Sequence, residues 1–276
     1  MSVELSACGS IAGQPIDIQL KSFDLASGQA VVIEVNTGHI NIVGVSGDVL
    51  EVDGHLAFSE KTDYDVTESS NEVLILVNYT GPPLPDSAGP ATTMNVRVPR
   101  DTPVRVETFD ATVAINEFRG TVEISSIAGD ITANNINGVA SLRTARGDAS
   151  LTGGSGDFQL IGEHGILVVE RVSGKVSAST IMGTIRFLGV PGSADEVHLE
   201  TDHGPVEIQL DEESDISVAV TSISGNVACM LPGLDQSARG CTGTMGNGEG
   251  SLWVRTVSGA ITIQRLPWKP VNQRLT

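Results

Sequence analysis

Large rings are scarce in this chain. Six Phe, two Trp and two Tyr make up only 4% of its 276 residues. That scarcity argues against a thick core organised around aromatic clusters and for a thin one made of Val, Ile, Leu and Ala. Positive charge is scarce too: 16 Lys and Arg stand against 34 Asp and Glu, a net charge of −18. With no basic cluster to offset the acid, nucleic acid is excluded as a partner, and so is adhesion to anionic lipid by charge alone. There are three cysteines and no CxxC, which speaks against structural zinc and thioredoxin-like chemistry. No apolar run is long enough to span a bilayer.

Glycine, by contrast, is abundant and ordered. Gly120, Gly129, Gly138, Gly147, Gly156, Gly165, Gly174, Gly183 and Gly192 stand nine residues apart. Chance would produce such a run with odds on the order of 10⁻⁸. The second residue after each of the first eight glycines is apolar (Val122, Ile131, Ala140, Ala149, Phe158, Leu167, Val176, Ile185). The fourth is apolar as well (Ile124, Ala133, Leu142, Leu151, Leu160, Val169, Ala178, Phe187). The residue between them is mostly polar, which is the alternation of a strand wetted on one face. A helix would lose about 1 kcal/mol at each glycine, and the apolar positions do not fall at its period.

Each nine-residue unit therefore reads as one short strand and one corner, with glycine supplying the backbone freedom the corner needs. The seventh position (Ile127, Ile136, Ala145, Gly154, Glu163, Val172, Ile181, Val190) is apolar in six of eight units, so it is expected to turn inward. One unit cannot bury its apolar face alone, so two units make a coil and coils stack at roughly 4.8 Å. The expected fold is all-β: a single-stranded β-solenoid, a β-helix-like stack of short strands with two nine-residue units per coil.

The same grammar brackets the regular run, at Gly38 and Gly47 before it and at Gly204, Gly225 and Gly259 after it. The expected organisation is a tail or cap at 1–30 and a solenoid at 31–265, with a cap or tail at 266–276. Within the solenoid, 60–110 is irregular, 111–192 regular, and 230–250 carries loop insertions. Pro267-Trp268-Lys269-Pro270 is expected to cover the last coil, because prolines cannot donate to a further strand.

Leu5-Ser6-Ala7-Cys8 resembles the lipobox of bacterial lipoproteins, which makes Cys8 a lipidation candidate. The charged and apolar segments that should precede a lipobox are missing, so an accidental match stays open. Cys229 and Cys241 would then remain as a disulfide pair flanking a loop; two buried thiols are the alternative.

Asn95-Val96-Arg97-Val98-Pro99-Arg100-Asp101, the glycine-led units and Val254-Arg255-Thr256-Val257-Ser258-Gly259-Ala260-Ile261-Thr262-Ile263 together resemble the bacterial putative-adhesin family of β-solenoid domains. The resemblance covers roughly residues 30–265. It implies an envelope or surface location and brings no catalytic residues with it.

Chemistry-bearing residues are few. In His198-Leu199-Glu200-Thr201-Asp202-His203, the residues His198, Glu200 and Asp202 are expected to share an outward face with His203 at the corner, a weak metal site. His164, Met182 and His203 are expected to form a column along one edge, with the histidines two coils apart and too far to share an ion. Glu163 is expected at an inward corner. Thr152 to Asp157 resembles the calcium-binding nonapeptide of bacterial β-rolls but lacks its spacing. Ile166 and Val168 face outward as a small apolar patch.

No cofactor is implied. The reading that fits best is a non-enzymatic envelope or surface protein presenting a rigid face to protein or glycan, outside the cytoplasm. Its only membrane contact would be a lipid anchor at Cys8. A cytoplasmic, bactofilin-like polymerising scaffold is the alternative. A polysaccharide-active enzyme fits less well, because two tyrosines and unclustered basic residues do not furnish a catalytic groove.

Overall fold

The computed structural model describes residues 15–84 and 89–266. The expectations for Cys8 and for the Pro267–Pro270 cover lie outside these residues. Among the described residues there are twenty strands and one 3-10 turn, Ser59–Lys61. The strands of the first half are β1 (Ile16–Asp24), β2 (Ala30–Val45), β3 (Val49–Leu56), β4 (Thr62–Glu68), β5 (Glu72–Tyr79), β6 (Thr92–Pro99), β7 (Val104–Asn116), β8 (Thr121–Ser126), β9 (Ile131–Thr144) and β10 (Ala149–Gly162). Those of the second half are β11 (Ile166–Thr180), β12 (Thr184–Gly189), β13 (Glu196–Thr201), β14 (Val206–Leu210), β15 (Ile216–Ser222), β16 (Val227–Cys229), β17 (Leu234–Ser237), β18 (Gly240–Met245), β19 (Gly250–Thr256) and β20 (Ile261–Arg265).

The solenoid is a two-faced stack of parallel strands. In β9, β10 and β11 the first half lies on a back face and the second half on a front face, each paired in register with the segment eighteen residues away. The front face continues through β13, β19 and β15. The back face continues through β12, β14, β20 and β16. Inward residues of the two faces meet as a thin core in which Phe118, Phe158 and Phe187 are the largest fully buried side chains.

The two corners of a coil are built differently, so the repeat has a period of eighteen rather than nine. At one corner the strand bends, without breaking in β9, β10 and β11. Glu117, Asn135, Gly153 and Arg171 occupy left-handed backbone there, eighteen residues apart, and Phe118, Ile136 and Val172 turn inward beside them. Thr152 to Asp157 is this corner in β10, which accounts for its three glycines without calcium. At the other corner a tight turn is held by a buried hydroxyl. Thr108, Ser126, Thr144, Thr180, Ser222 and Thr256 each accept a hydrogen bond from the backbone N–H three residues on, at 2.7–3.1 Å. The hydroxyl takes the inward place and pushes the next residue out. The expected inward seventh position therefore fails at this corner, where Ile127 and Ile181 are exposed, as is Glu163 after Gly162; Val190, in the loop between β12 and β13, is exposed as well.

Layer order departs from chain order at both ends. β5 and β6 form the outermost layer at one end, with β2 between them and β7. At the other end β15 and β16 form the outermost layer, with β19 and β20 wedged between it and β13 and β14. Each terminal stretch of solenoid thus occupies the penultimate layer. Ten layers result, roughly 43 Å at strand spacing.

Both ends are closed by antiparallel strands. β4 pairs with β5, while β3 and then β1 extend the sheet from β6. The segment 60–110, read as irregular, thus contains β4, β5 and β6 in ordered pairing. At the opposite end the 230–250 insertion is a hairpin rather than a loop: β17 pairs with β18, and β18 with β15. Cys229 and Cys241 are joined as a disulfide across this cap. Gln236 imitates a neighbouring strand for β16, its amide donating to the Val227 carbonyl at 2.8 Å and accepting from the Cys229 N–H at 3.3 Å. This hairpin covers the last layer.

Candidate binding surface

Alternation decides which side chains reach the front face. In β13, Val197, Leu199 and Thr201 are buried, so Glu196, His198 and Glu200 point outward. In β19, Leu252, Val254 and Thr256 are buried, so Ser251, Trp253 and Arg255 point outward. The register sets Glu196 beside Ser251, His198 beside Trp253 and Glu200 beside Arg255. These partners are 55 residues apart in sequence and meet only because β19 is wedged against β13.

His198 and Trp253 stack face to face, their centroids 4.1 Å apart and their planes within 19°. Such a pair contributes about 0.5–1.5 kcal/mol beyond the area it covers. It remains accessible, with the His198 side chain 49% and Trp253 37% exposed. Arg255 donates to Glu200 at 3.0 Å, and His198 Nε2 lies 3.8 Å from the same carboxylate. Lys175 pairs with Glu196 at 3.1 Å. These ion pairs are exposed and contribute little stability, but they fix where charge sits around the rings.

Small residues flank the stacked pair. Ser177 of β11 sits beside His198 on the side away from Trp253, and Ala219 of β15 beside Trp253 on the side away from His198. Beside the pair a shallow recess of about 310 Å³ is lined by the two rings, Ser177, Ser251, Asp157, Lys175 and Glu196.

The weak metal site is not assembled. His198 and Glu200 do share the outward face, but His198 is stacked on Trp253 and Glu200 is engaged by Arg255. Asp202 lies beyond the end of β13 at the turn, and His203 bonds the Ser258 hydroxyl at 2.7 Å. Among the described residues no group of three or more His, Cys, Asp or Glu is placed to hold a metal ion. The column of His164, Met182 and His203 does form: the Met182 N–H donates to the Glu163 carbonyl, and that of His203 to the Ile181 carbonyl. Ile166 and Val168 lie half-buried on the back face, apart from the recess. Trp253 escaped sequence reasoning because chain order gives no reason to set β19 against β13. Its outward place in an alternating strand was the available signal.

Three solved structures are similar to this chain to different degrees. One from Bacteroides fragilis, described as a putative adhesin, is 10% identical with a TM-score of 0.54, covering 92% of this chain and 99% of its own. One from Clostridium sporogenes, described as a putative cell adhesion protein, is 13% identical with a TM-score of 0.33, covering 92% and 100%. One from Parabacteroides merdae, described as a putative adhesin, is 8% identical with a TM-score of 0.26, covering 92% and 98%. No curated protein matches the sequence. The family described as Toastrack DUF4097 matches residues 66–264, from within β4 to the penultimate residue of β20. With the match spanning most of the solenoid, the chain belongs to the Toastrack DUF4097 family.

Proposed function

We propose that this protein is a non-enzymatic binding module outside the cytoplasm, presenting its front face to protein or glycan at the cell surface. The observation that carries the reading is the face itself. Parallel strands in register hold outward side chains in straight rows at fixed spacing, and rigid rows suit recognition of an extended partner. The disulfide at the cap supports an oxidising compartment, where such bonds persist. The Bacteroides fragilis protein that shares the fold is described as a putative adhesin, in keeping with that use. A lipid on Cys8 would tether the module to a membrane.

The polymerising-scaffold reading is less well supported. End-to-end growth needs open strand edges in parallel register, and here β4, β3 and β1 close one end and β18 and β17 the other.

Compartment is tested by treating intact cells with protease and, separately, with a membrane-impermeant amine label. The expected result is cleavage and labelling from outside, with Cys229 and Cys241 oxidised in the recovered protein. Full protection in intact cells together with free thiols would overturn the reading.

A further inference from the structure

We propose that the recess beside the His198–Trp253 stack is a subsite for one ring of an uncharged hexopyranose polymer. The proposal rests on the surface-binding reading and adds to it a place and a ligand class.

Three observations narrow the ligand. First, the chain places one of its two tryptophans on the surface in a sequence poor in aromatics and stacks it on an imidazole. A ring pair held upright with small residues on either side offers flat apolar walls, and the C–H face of a pyranose is the complementary shape. Secondly, polar groups line the recess beside the rings: Asp157, Lys175 and Glu196 form one row, and Ser177 and Ser251 add hydroxyls. Carboxylates and an ammonium at the edge of an aromatic wall can bond the equatorial hydroxyls of a sugar packed on that wall. Thirdly, the charge is wrong for an anion. Lys175 and Arg255 are already engaged by Glu196 and Glu200, Asp157 adds a further carboxylate, and the whole chain carries −18. Uronate, phosphate-bearing and sialylated polymers would meet repulsion.

A peptide strand is disfavoured for a separate reason. On the front face at this point the backbone groups of β11, β13, β19 and β15 are already paired on both sides, so no edge is free for strand addition. The recess volume, about 310 Å³, lies at the small end of ligand cavities, roughly 300–1,000 Å³. That suits a single ring, with its neighbours in the polymer lying along the sheet.

The test is titration of the full chain with cellotetraose, chitotetraose, maltotetraose and mannotetraose, read by calorimetry and by indole fluorescence. A Trp268→Phe background makes Trp253 the sole indole reporter. Saturable binding of at least one tetrasaccharide is expected, with a change in Trp253 emission. Trp253→Ala should weaken it by about tenfold or more, equivalent to 1.4 kcal/mol. Ser177→Leu should do the same by filling the recess while leaving both rings in place. Unchanged circular dichroism and melting would show that both variants fold. No binding of any of the four probes overturns the proposal, and so does binding that both variants retain. Protease accessibility on intact cells does not involve Trp253, so the surface reading stands or falls separately.

Discussion

Two threonines in the same hydroxyl column should respond in opposite ways to one substitution. Thr144 and Thr201 are each 1% exposed and sit at equivalent turns of two inner layers. The Thr144 hydroxyl accepts the Gly147 N–H at 2.9 Å, and both groups are buried. The Thr201 hydroxyl is buried with no hydrogen-bond partner. Valine replaces either hydroxyl with a methyl of nearly the same volume, so packing is held constant and only the polar group changes. Thr144→Val orphans a buried backbone donor and is expected to cost about 1–3 kcal/mol. Thr201→Val removes a hydroxyl that was desolvated without compensation and is expected to be neutral or stabilising by up to about 1 kcal/mol. Urea midpoints at unchanged slope, with the disulfide intact, measure both differences. Hydrogen exchange adds a local readout, since the Gly147 amide should lose protection in Thr144→Val and keep it in Thr201→Val. Equal costs for the two variants, or a Thr144→Val change within about 0.5 kcal/mol of zero, would refute the claim that the hydroxyl holds the turn.

Gly156→Ala should prevent folding or cost more than about 3 kcal/mol, because its Cβ would lie 1.8 Å from the Gly138 carbonyl oxygen at a φ of +155°. Gly47→Ala meets no atom within 4 Å and should cost only the strain of its positive φ, about 1–2 kcal/mol; soluble yield and melting temperature distinguish the two. Breaking the disulfide with Cys241→Ser removes a link between residues twelve apart and should cost about 3 kcal/mol, with exchange protection lost first in β17 and β18. Burial, and then the neighbouring Asp65 carboxylate, raise the Tyr64 phenol above its ordinary value of 10.0. The folded state thus holds this proton more tightly than the unfolded chain. The resulting stability is complete below about pH 10 and is lost as pH rises through the folded value. Tyr64→Phe, which keeps the ring under Lys21, should flatten the alkaline fall in the denaturation midpoint.

The regular run was legible because burial there obeys a local rule. Val122, Ile124, Leu142 and Leu160 turn inward as alternation requires, and tertiary context does not change that. The corners were half legible. Both kinds carry a glycine, so the nine-step conceals that Gly129 and Gly147 follow a buried hydroxyl while Gly138 and Gly156 follow a left-handed bend. The Ser/Thr-x-x-Gly spacing at 126, 144, 180, 201, 222 and 256 was there to be read and would have turned Ile127 and Ile181 outward. The bend was harder to see, because Glu117 and Arg171 adopt positive φ with side chains that do not favour it. Layer order was not legible at all. Pairing of β19 with β13 and β15 is a long-range choice among strands of nearly identical pattern, and no local residue encodes it.

That hidden step is also the one that makes the candidate surface. While β19 is absent, β13 and β15 each present an unpaired edge, and His198 has no aromatic neighbour. Wedging β19 between them satisfies both edges at once and brings in Leu252 and Val254 to complete the core between Val197, Leu199 and Val218, Val220. The same movement delivers Trp253 to His198 and Arg255 to Glu200. Closing a separation of 55 residues is a slow, non-local event compared with stacking successive eighteen-residue coils. The ring pair therefore forms only once β19 is paired with β13. A chain stalled before that step would carry every residue of the surface and none of its geometry.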